Sequence, residues 1–312
     1  MRVFTDPRCL DHRAPRGFPE RPERLSGIAG HLRQRGWDLA EGSSWEGGRD
    51  RAAEAVAAVH EERYVERFGR AVERGDSLLD SADNPLSEGT WEASWAAVET
   101  ILAAADHAMS GGGNRAFAAA RPPGHHAERA IAMGFCFFNG VAVAAEHLLR
   151  RHGAERVAIF DWDVHHGNGT QHLFESRADV FYASTHQYPF YPGTGAASET
   201  GIGEGEGATL NVPLPAGTGD ERYEEAIRGR VIPAIRDFRP DVLLVSAGYD
   251  AWKHDPLGGM EVTEEGFRNW GAWMRELADE VCGGRLLAVL EGGYDLASLP
   301  LLVEASLEGM MK

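Results

Sequence analysis

Cysteine is scarce in this chain. Its 312 residues include three, Cys9, Cys136 and Cys282, odd in number and scattered. That argues against a disulfide framework and for a reducing, cytoplasmic setting. Basic residues are also short, with 31 Lys and Arg against 48 Asp and Glu and a net charge of −17. A nucleic-acid binder would carry a basic patch, so that class is set aside. The same acidity favours cationic substrates such as lysine side chains or polyamines. No apolar run approaches the roughly 18 residues of a membrane span. Residues 2–20 are polar and Pro-rich, unlike a signal peptide. A soluble chain with no membrane partner is expected, and a homo-oligomer stays open. No internal repeat or linker is visible. The Gly-rich stretch 193–207 lacks a Lys and carries Glu199, Glu204 and Glu206. It therefore reads as a loop, not as a phosphate cradle.

What is present is an alternation of strands and helices. Hydrophobic residues make up 43% of the chain, enough for a sizeable core. Short apolar runs at 2–5, 115–120, 156–160, 179–184, 241–247 and 285–290 read as strands. Helical text covers 24–36, 51–75, 140–151, 221–238 and 264–281, with a short helix near Gln171. Another helix starts at Thr90 and buries Trp91, Trp95, Val98, Ile101, Leu102 and Ala105 before the glycines at 111–113 end it. Asp83-Asn84-Pro85 reads as a loop. Such alternation implies a parallel sheet covered on both faces.

The chemistry sits where strands end. The run 156–160 leads into Asp161-Trp162-Asp163-Val164-His165-His166-Gly167. In an open α/β sheet, ligands bind at the carboxyl ends of strands. Asp163 and His165 are two apart, so in extended chain they share one face. An Asp-x-His pair so placed can bind a divalent metal. Three other segments repeat the pattern of strand, Gly or Pro, then reactive groups. They are Arg121-Pro122-Pro123-Gly124-His125-His126, Ser246-Ala247-Gly248-Tyr249-Asp250 and Glu291-Gly292-Gly293-Tyr294-Asp295. In a parallel sheet all four meet along one edge, which predicts one active site.

Asp163, His165 and Asp250 offer three protein ligands and leave a position for water, the mark of a catalytic metal. Two oxygens and one nitrogen suit zinc, and also Fe(II) or Mn(II). The metal would acidify its water, and a base must take the proton and return it to the leaving group. One of His125 and His126 can fill that place while the other tunes it. Asp161 and Asn168 are the available partners to set an imidazole tautomer. Tyr294, on a Gly-Gly turn, can donate to a developing oxyanion.

These segments resemble the histone deacetylase superfamily, which groups zinc-dependent deacetylases with acetylpolyamine amidohydrolases. The resemblance rests on Arg-Pro-Pro-Gly-His-His-Ala, Asp-Trp-Asp-Val-His-His-Gly-Asn-Gly-Thr, Tyr-Pro-Gly-Thr-Gly and Glu-Gly-Gly-Tyr. It runs from the Pro19 to Arg24 turn to beyond Tyr294. It implies an α/β, three-layer, arginase-like fold with a central parallel sheet flanked by helices, and residues 1–312 as a single catalytic domain. It implies Asp163, His165 and Asp250 as metal ligands and His126 as general base and acid. His125 would act electrostatically, oriented by Asp161. Asn168, where class I relatives carry Asp, would orient His126 with a neutral amide. Tyr294 would donate in the transition state.

The resemblance also implies a structural potassium beside the zinc, at Asp161, Asp163, His165, Ser184 and Thr185. A second cation site would use carbonyls of Phe174, Arg177, Val180 and Asn211. Phe135 and Tyr191 match the aromatic walls of an acyl-lysine tunnel, with Gly134 beside them. Asp83 matches a loop carboxylate that grips substrate backbone. Phe18 departs from the pattern by replacing a His. Leu257 stands where the polyamine-selective eukaryotic enzyme carries a Glu gatekeeper. The expected activity is removal of acetyl or related acyl groups from lysine side chains, with acetylpolyamine hydrolysis as the alternative. An arginase-type ureohydrolase would need extra Asp ligands for two manganese ions, and that spacing is missing.

Overall fold

The computed structural model describes residues 1–111 and 115–311. Eight strands form one sheet. In chain order they are β1 (Arg2–Thr5), β2 (Leu39–Glu41), β3 (Arg115–Ala119), β4 (Val157–Asp161), β5 (Val180–Gln187), β6 (Thr209–Leu214), β7 (Val242–Ala247) and β8 (Leu286–Leu290). Their order across the sheet is β2-β1-β3-β8-β7-β4-β5-β6, and every pairing is parallel. Strands β4, β7 and β8 are buried along their whole length, as a sheet covered on both faces requires.

The flanking helices are α1 (Glu23–Gln34), α2 (Gly48–Val59), α3 (Glu62–Glu73), α4 (Thr90–Met109), α5 (Gly140–Arg151), α6 (Asn168–Phe174), α7 (Asp220–Ala226), α8 (Ile232–Phe238), α9 (Glu264–Cys282) and α10 (Leu299–Met311). Among the described residues no helix is long and apolar enough to cross a membrane.

Strand order places the site. β3, β8, β7 and β4 are consecutive across the sheet, and they are the four strands that precede the reactive segments. The chain makes β7 and β8 last and inserts them between β3 and β4. Residues far apart in sequence therefore meet on one edge. A helix cap reinforces this. Asn139 Oδ1 accepts the Ala142 N–H at 3.1 Å to start α5, while its Nδ2 donates to the Ala127 carbonyl at 3.2 Å. One side chain thus begins a helix and pins the turn that carries His125 and His126.

The structure differs from the sequence expectation at several elements. The helix expected over 51–75 is two helices, broken at His60, whose backbone is extended at φ −106, ψ 148. His60 Nδ1 lies 3.0 Å from the Glu128 carbonyl and its Nε2 accepts the Asn139 N–H at 2.9 Å. Tertiary hydrogen bonds make the break, and local composition conceals it. The 221–238 helix contains a π turn at Ile227–Val231. Pro233 follows it, and the wider turn accommodates a ring that has no N–H to donate.

Strand β6 went unseen because Pro213 lies inside it. It sits at the sheet edge, where the missing donor does no harm. β2 is three residues long, too short to leave a pattern. α10 is buried around most of its circumference, so it shows no amphipathic stripe to read. Of the glycines at 111–113, Gly112 and Gly113 lie outside the described residues, and α4 itself ends at Met109.

Candidate active site

β4 ends on Asp161, and the chain leaves it through Asp163 and His165. β7 ends two residues before Tyr249-Asp250. Backbone N–H groups hold the carboxylates in place. Val164 donates to Asp250 Oδ1 at 2.9 Å, His165 to Asp163 Oδ1 at 2.9 Å and Gly292 to Asp163 Oδ2 at 2.8 Å. A Cβ on Gly248 or Gly292 would collide with these carboxylates, which explains both glycines. His165 Nδ1 lies 3.1 Å from Asp163 Oδ1 and 3.1 Å from Asp250 Oδ2.

Both aspartates are fully buried. Burial, and then the Asp163 charge, push the Asp250 carboxyl up from its ordinary value. Burial works to lower the His165 pKa, but its hydrogen bonds to Asp163 and Asp250 outweigh that and push it up to about 10. The three atoms thus call for a cation between them. Two carboxylate oxygens and one imidazole nitrogen, all within 4.8 Å of one another, fit a divalent ion, which takes the imidazole in its neutral form.

The paired histidines lie beside this set. The turn after β3 is held by Glu291, whose Oε2 accepts the N–H of Gly124 at 2.6 Å and of His125 at 3.1 Å. His125 Nδ1 lies 3.0 Å from Asp161 Oδ2, and His126 Nδ1 lies 2.7 Å from Asn168 Oδ1. The two rings stand 4.0 Å apart. Burial opposes the charged form of both, yet they separate. Asp161 and Asp163 outweigh burial at His125 and push it up to about 10. At His126 burial and then the neighbouring His125 and His165 push it well below its ordinary value. Neighbouring groups driven apart in this way mark a division between a charged partner and a neutral base.

Tyr294 closes the site from the β8 side. Its backbone N–H donates to Asp255 Oδ2 at 2.6 Å. The Arg24 guanidinium lies 4.8 Å over its ring, and Arg24 Nε donates to the Gly293 carbonyl at 2.7 Å. Among the described residues nothing accepts from the Tyr294 hydroxyl. His126, His165 and Tyr294 line a cavity of about 290 Å³ together with Gly134, Phe135, Phe190, Tyr191, Leu257 and Asp83. Phe190 stacks on His165 at 5.4 Å, and Tyr191 meets His126 edge-on at 5.1 Å. Asp83 Oδ2 accepts from Gly134 N and from the Tyr191 hydroxyl, both at 3.0 Å. Phe18, the departure noted in the sequence, packs edge-on against Phe135 at 5.1 Å and so builds the wall.

The expected cation groups divide. Ser184 is in register with Asp161 on β5, so Ser184 and Thr185 stand next to the Asp–His set. The second group does not come together as expected. Asn211 is in register with Ser184, four residues along β5 from Val180. At about 3.3 Å per residue that is roughly 13 Å, too far for their carbonyls to share one ion. Phe174 and Arg177 also lie just before Val180, and the Phe174 carbonyl accepts the Arg177 N–H at 2.9 Å. The register puts Ala208, whose carbonyl accepts from Tyr182 N at 2.9 Å, nearer that end than Asn211.

Histone deacetylase domains match residues 18–310 of this sequence. The chain belongs to the histone deacetylase family. It is 42% identical over 268 residues to histone deacetylase 14, chloroplastic, of Arabidopsis thaliana, an overlap of 83% of this chain and 63% of that protein. It therefore spans under two thirds of that relative's length. The crystal structure of the HDA15 HD domain superposes with a TM-score of 0.89 at 37% identity, covering 98% of this chain and 86% of that one. The acetylpolyamine aminohydrolase from Burkholderia pseudomallei superposes with a TM-score of 0.88 at 30% identity, covering 99% and 98%.

Within this histone deacetylase fold, several supporting residues escaped the sequence reading: Glu128, Glu291, Asp255, Arg24 and Phe190. Glu291 stands inside a motif already singled out, and Asp255 lies two residues before Leu257. Their work is to accept N–H groups from other loops, and that leaves no spacing in the sequence.

A second Asp–His group lies on the same side of the sheet as α4 and α5. Asp106 Oδ1 is 2.6 Å from His147 Nε2 and 2.7 Å from His152 Nε2. Its Oδ2 accepts the Trp45 indole N–H at 2.7 Å.

Proposed function

We propose that the protein is a metal-dependent amidohydrolase that removes acetyl or related acyl groups from lysine side chains, with residues 1–312 acting as one catalytic domain. One observation carries the reading. His165, His126 and Tyr294 line one apolar cavity, with Asp163 and Asp250 against His165 and His125 against His126 behind them. Asp163, His165 and Asp250 would hold the ion, zinc by family resemblance, and Fe(II) suits the same donors. When bound, that ion supplies Lewis acidity to water and to the amide carbonyl.

The residues of the chain do the rest. Asn168 engages His126 at Nδ1, which leaves Nε2 to take a proton from the attacking water and return it to the leaving amine. His125, held by Asp161, brings positive charge toward the site. The Tyr294 hydroxyl donates to the oxyanion as it develops. Phe135, Phe190, Tyr191 and Leu257 form an apolar wall that suits the four methylenes of a lysine whose charge acylation has removed. A structural potassium beside the set, at Asp161, Asp163, His165, Ser184 and Thr185, draws support from Thr185 Oγ1, which is buried with no protein partner. Three free buried thiols accord with a cytoplasmic setting.

The net charge of −17 favours a second reading, hydrolysis of acetylpolyamines. Leu257 weighs against it, because leucine cannot pair with a distal ammonium. Specificity constants for an acetyl-lysine peptide and for acetylputrescine, measured on protein loaded with Zn(II), Fe(II) or no metal, decide between them. The peptide is expected to be preferred, and only with metal. Selectivity for the free polyamine reverses the Leu257 argument, and absence of hydrolysis with every metal sinks the amidohydrolase.

A further inference from the structure

The partner of His126 is an amide, and an amide has two faces. Its oxygen accepts and its nitrogen donates, so Asn168 could present either to the imidazole. Each choice selects a different tautomer of His126, and only one leaves Nε2 as a free lone pair. Something must settle which face is presented. The structure supplies it in Glu128. Asn168 Nδ2 lies 2.6 Å from Glu128 Oε1. An ionised carboxylate only accepts, so the NH2 group faces Glu128. Oδ1 is thereby turned to His126 Nδ1 at 2.7 Å, and that nitrogen carries the proton.

We infer that Glu128 is a positioning residue for the acid–base step: it fixes the Asn168 amide, and through that amide the tautomer of His126.

Geometry around Glu128 fits this role. Asn168 and His172 are four apart on α6, so they reach the carboxylate from one helix face. His172 Nδ1 lies 2.7 Å from the same Oε1, and the His172 ring is exposed. The second N–H of the amide has the His126 carbonyl at 3.4 Å and Met133 Sδ at 3.3 Å, so the flipped amide would set its oxygen against acceptors only. The backbone of Glu128 is anchored too. Its N–H donates to the Ile131 carbonyl at 2.9 Å, and its carbonyl lies 3.0 Å from His60 Nδ1. The chain from catalytic base to surface therefore runs His126, Asn168, Glu128, His172. A neutral amide backed by a carboxylate replaces a carboxylate in direct contact. It sets the tautomer without placing a full negative charge against the base.

This inference rests on His126 being the base of the proposed amidohydrolase, and its test separates the two. The 15N shifts of His126 in histidine-labelled, zinc-loaded protein report the tautomer whether or not any substrate turns over. Nδ1–H is expected in the wild type, and Nε2–H there overturns the inference. Glu128→Ala is expected to give a mixture of tautomers and to lower kcat about tenfold, the usual scale for an outer partner of a site, with KM little changed. Glu128→Gln, which still accepts from Asn168, is expected to restore the tautomer. In an Asn168→Asp background the carboxylate orients His126 alone, so Glu128→Ala should cost nothing further. An unchanged tautomer in Glu128→Ala, or an equal loss of kcat in both backgrounds, overturns the inference. A wild type without any hydrolysis sinks the proposed function and leaves the tautomer measurement to decide Glu128.

Discussion

Asp163, His165 and Asp250 set two carboxylates against one imidazole, whereas Asp106, His147 and His152 set one carboxylate against two imidazoles. In the first group both aspartates are fully buried, and His165 Nδ1 lies 3.1 Å from an oxygen of each. In the second group the Asp106 side chain is 32% exposed, and its imidazoles come to 2.6 and 2.7 Å of one oxygen. Both spacings are hydrogen-bond distances, so the difference between the groups lies in their charge. Three N–H donors, two imidazole and one indole, already satisfy the lone carboxylate. In the first group two carboxylates face one imidazole and otherwise only neutral backbone N–H groups. The same residue types thus make a candidate ion-binding set in one place and a protonic clasp in the other, and charge balance makes the difference.

The largest effect that tests this contrast is ligand removal. Asp250→Ala is expected to lose both the bound divalent ion and hydrolysis, while His152→Ala keeps both, as read by elemental analysis and turnover on the same samples. Equal metal loss in the two variants would erase the distinction. Next comes Tyr294→Phe, which keeps the ion but removes one oxyanion donor. It is expected to lower kcat about 100-fold or more, and near-wild-type turnover would remove Tyr294 from the mechanism.

The smallest effect concerns acid. Burial works to raise the Asp106 pKa, but hydrogen bonds from His147, Trp45 and His152 outweigh it and bring it to about 2, below its ordinary value of 3.8. A carboxylate depressed on folding contributes stability above its unfolded pKa and loses it as pH falls toward the folded one. The Tm gap between wild type and Asp106→Asn should hold steady near neutral pH and narrow below about pH 4. A gap that does not change with acid would mean that Asp106 is no clasp.

Much of this could be read from the text. The four reactive segments announce themselves because each follows a run of buried apolar residues, and in three of them a Gly or Pro precedes the reactive side chains. Strands β4, β7 and β8 appear within a residue of their expected places, since a doubly covered strand is a continuous apolar run. Other parts were hidden for physical reasons. Pro213 argues against a strand unless one knows that β6 is an edge. The break at His60 is made by Glu128 and Asn139, far along the chain. The displacement of Asn211 from Val180 is a matter of register, which periodicity does not encode. Glu128, Glu291 and Asp255 are lone carboxylates whose partners belong to other loops, and a single acidic residue carries no pattern.

Arg24, near the start of the chain, grips the Gly293 carbonyl and lies over the Tyr294 ring near its end. The two halves of that clamp are 269 residues apart. A growing polypeptide therefore makes Asp163 and Asp250 before it can seat Tyr294. The tyrosine is seated only when the segment that follows β8 has met α1, so folding of this site waits on a contact between two distant parts of the chain.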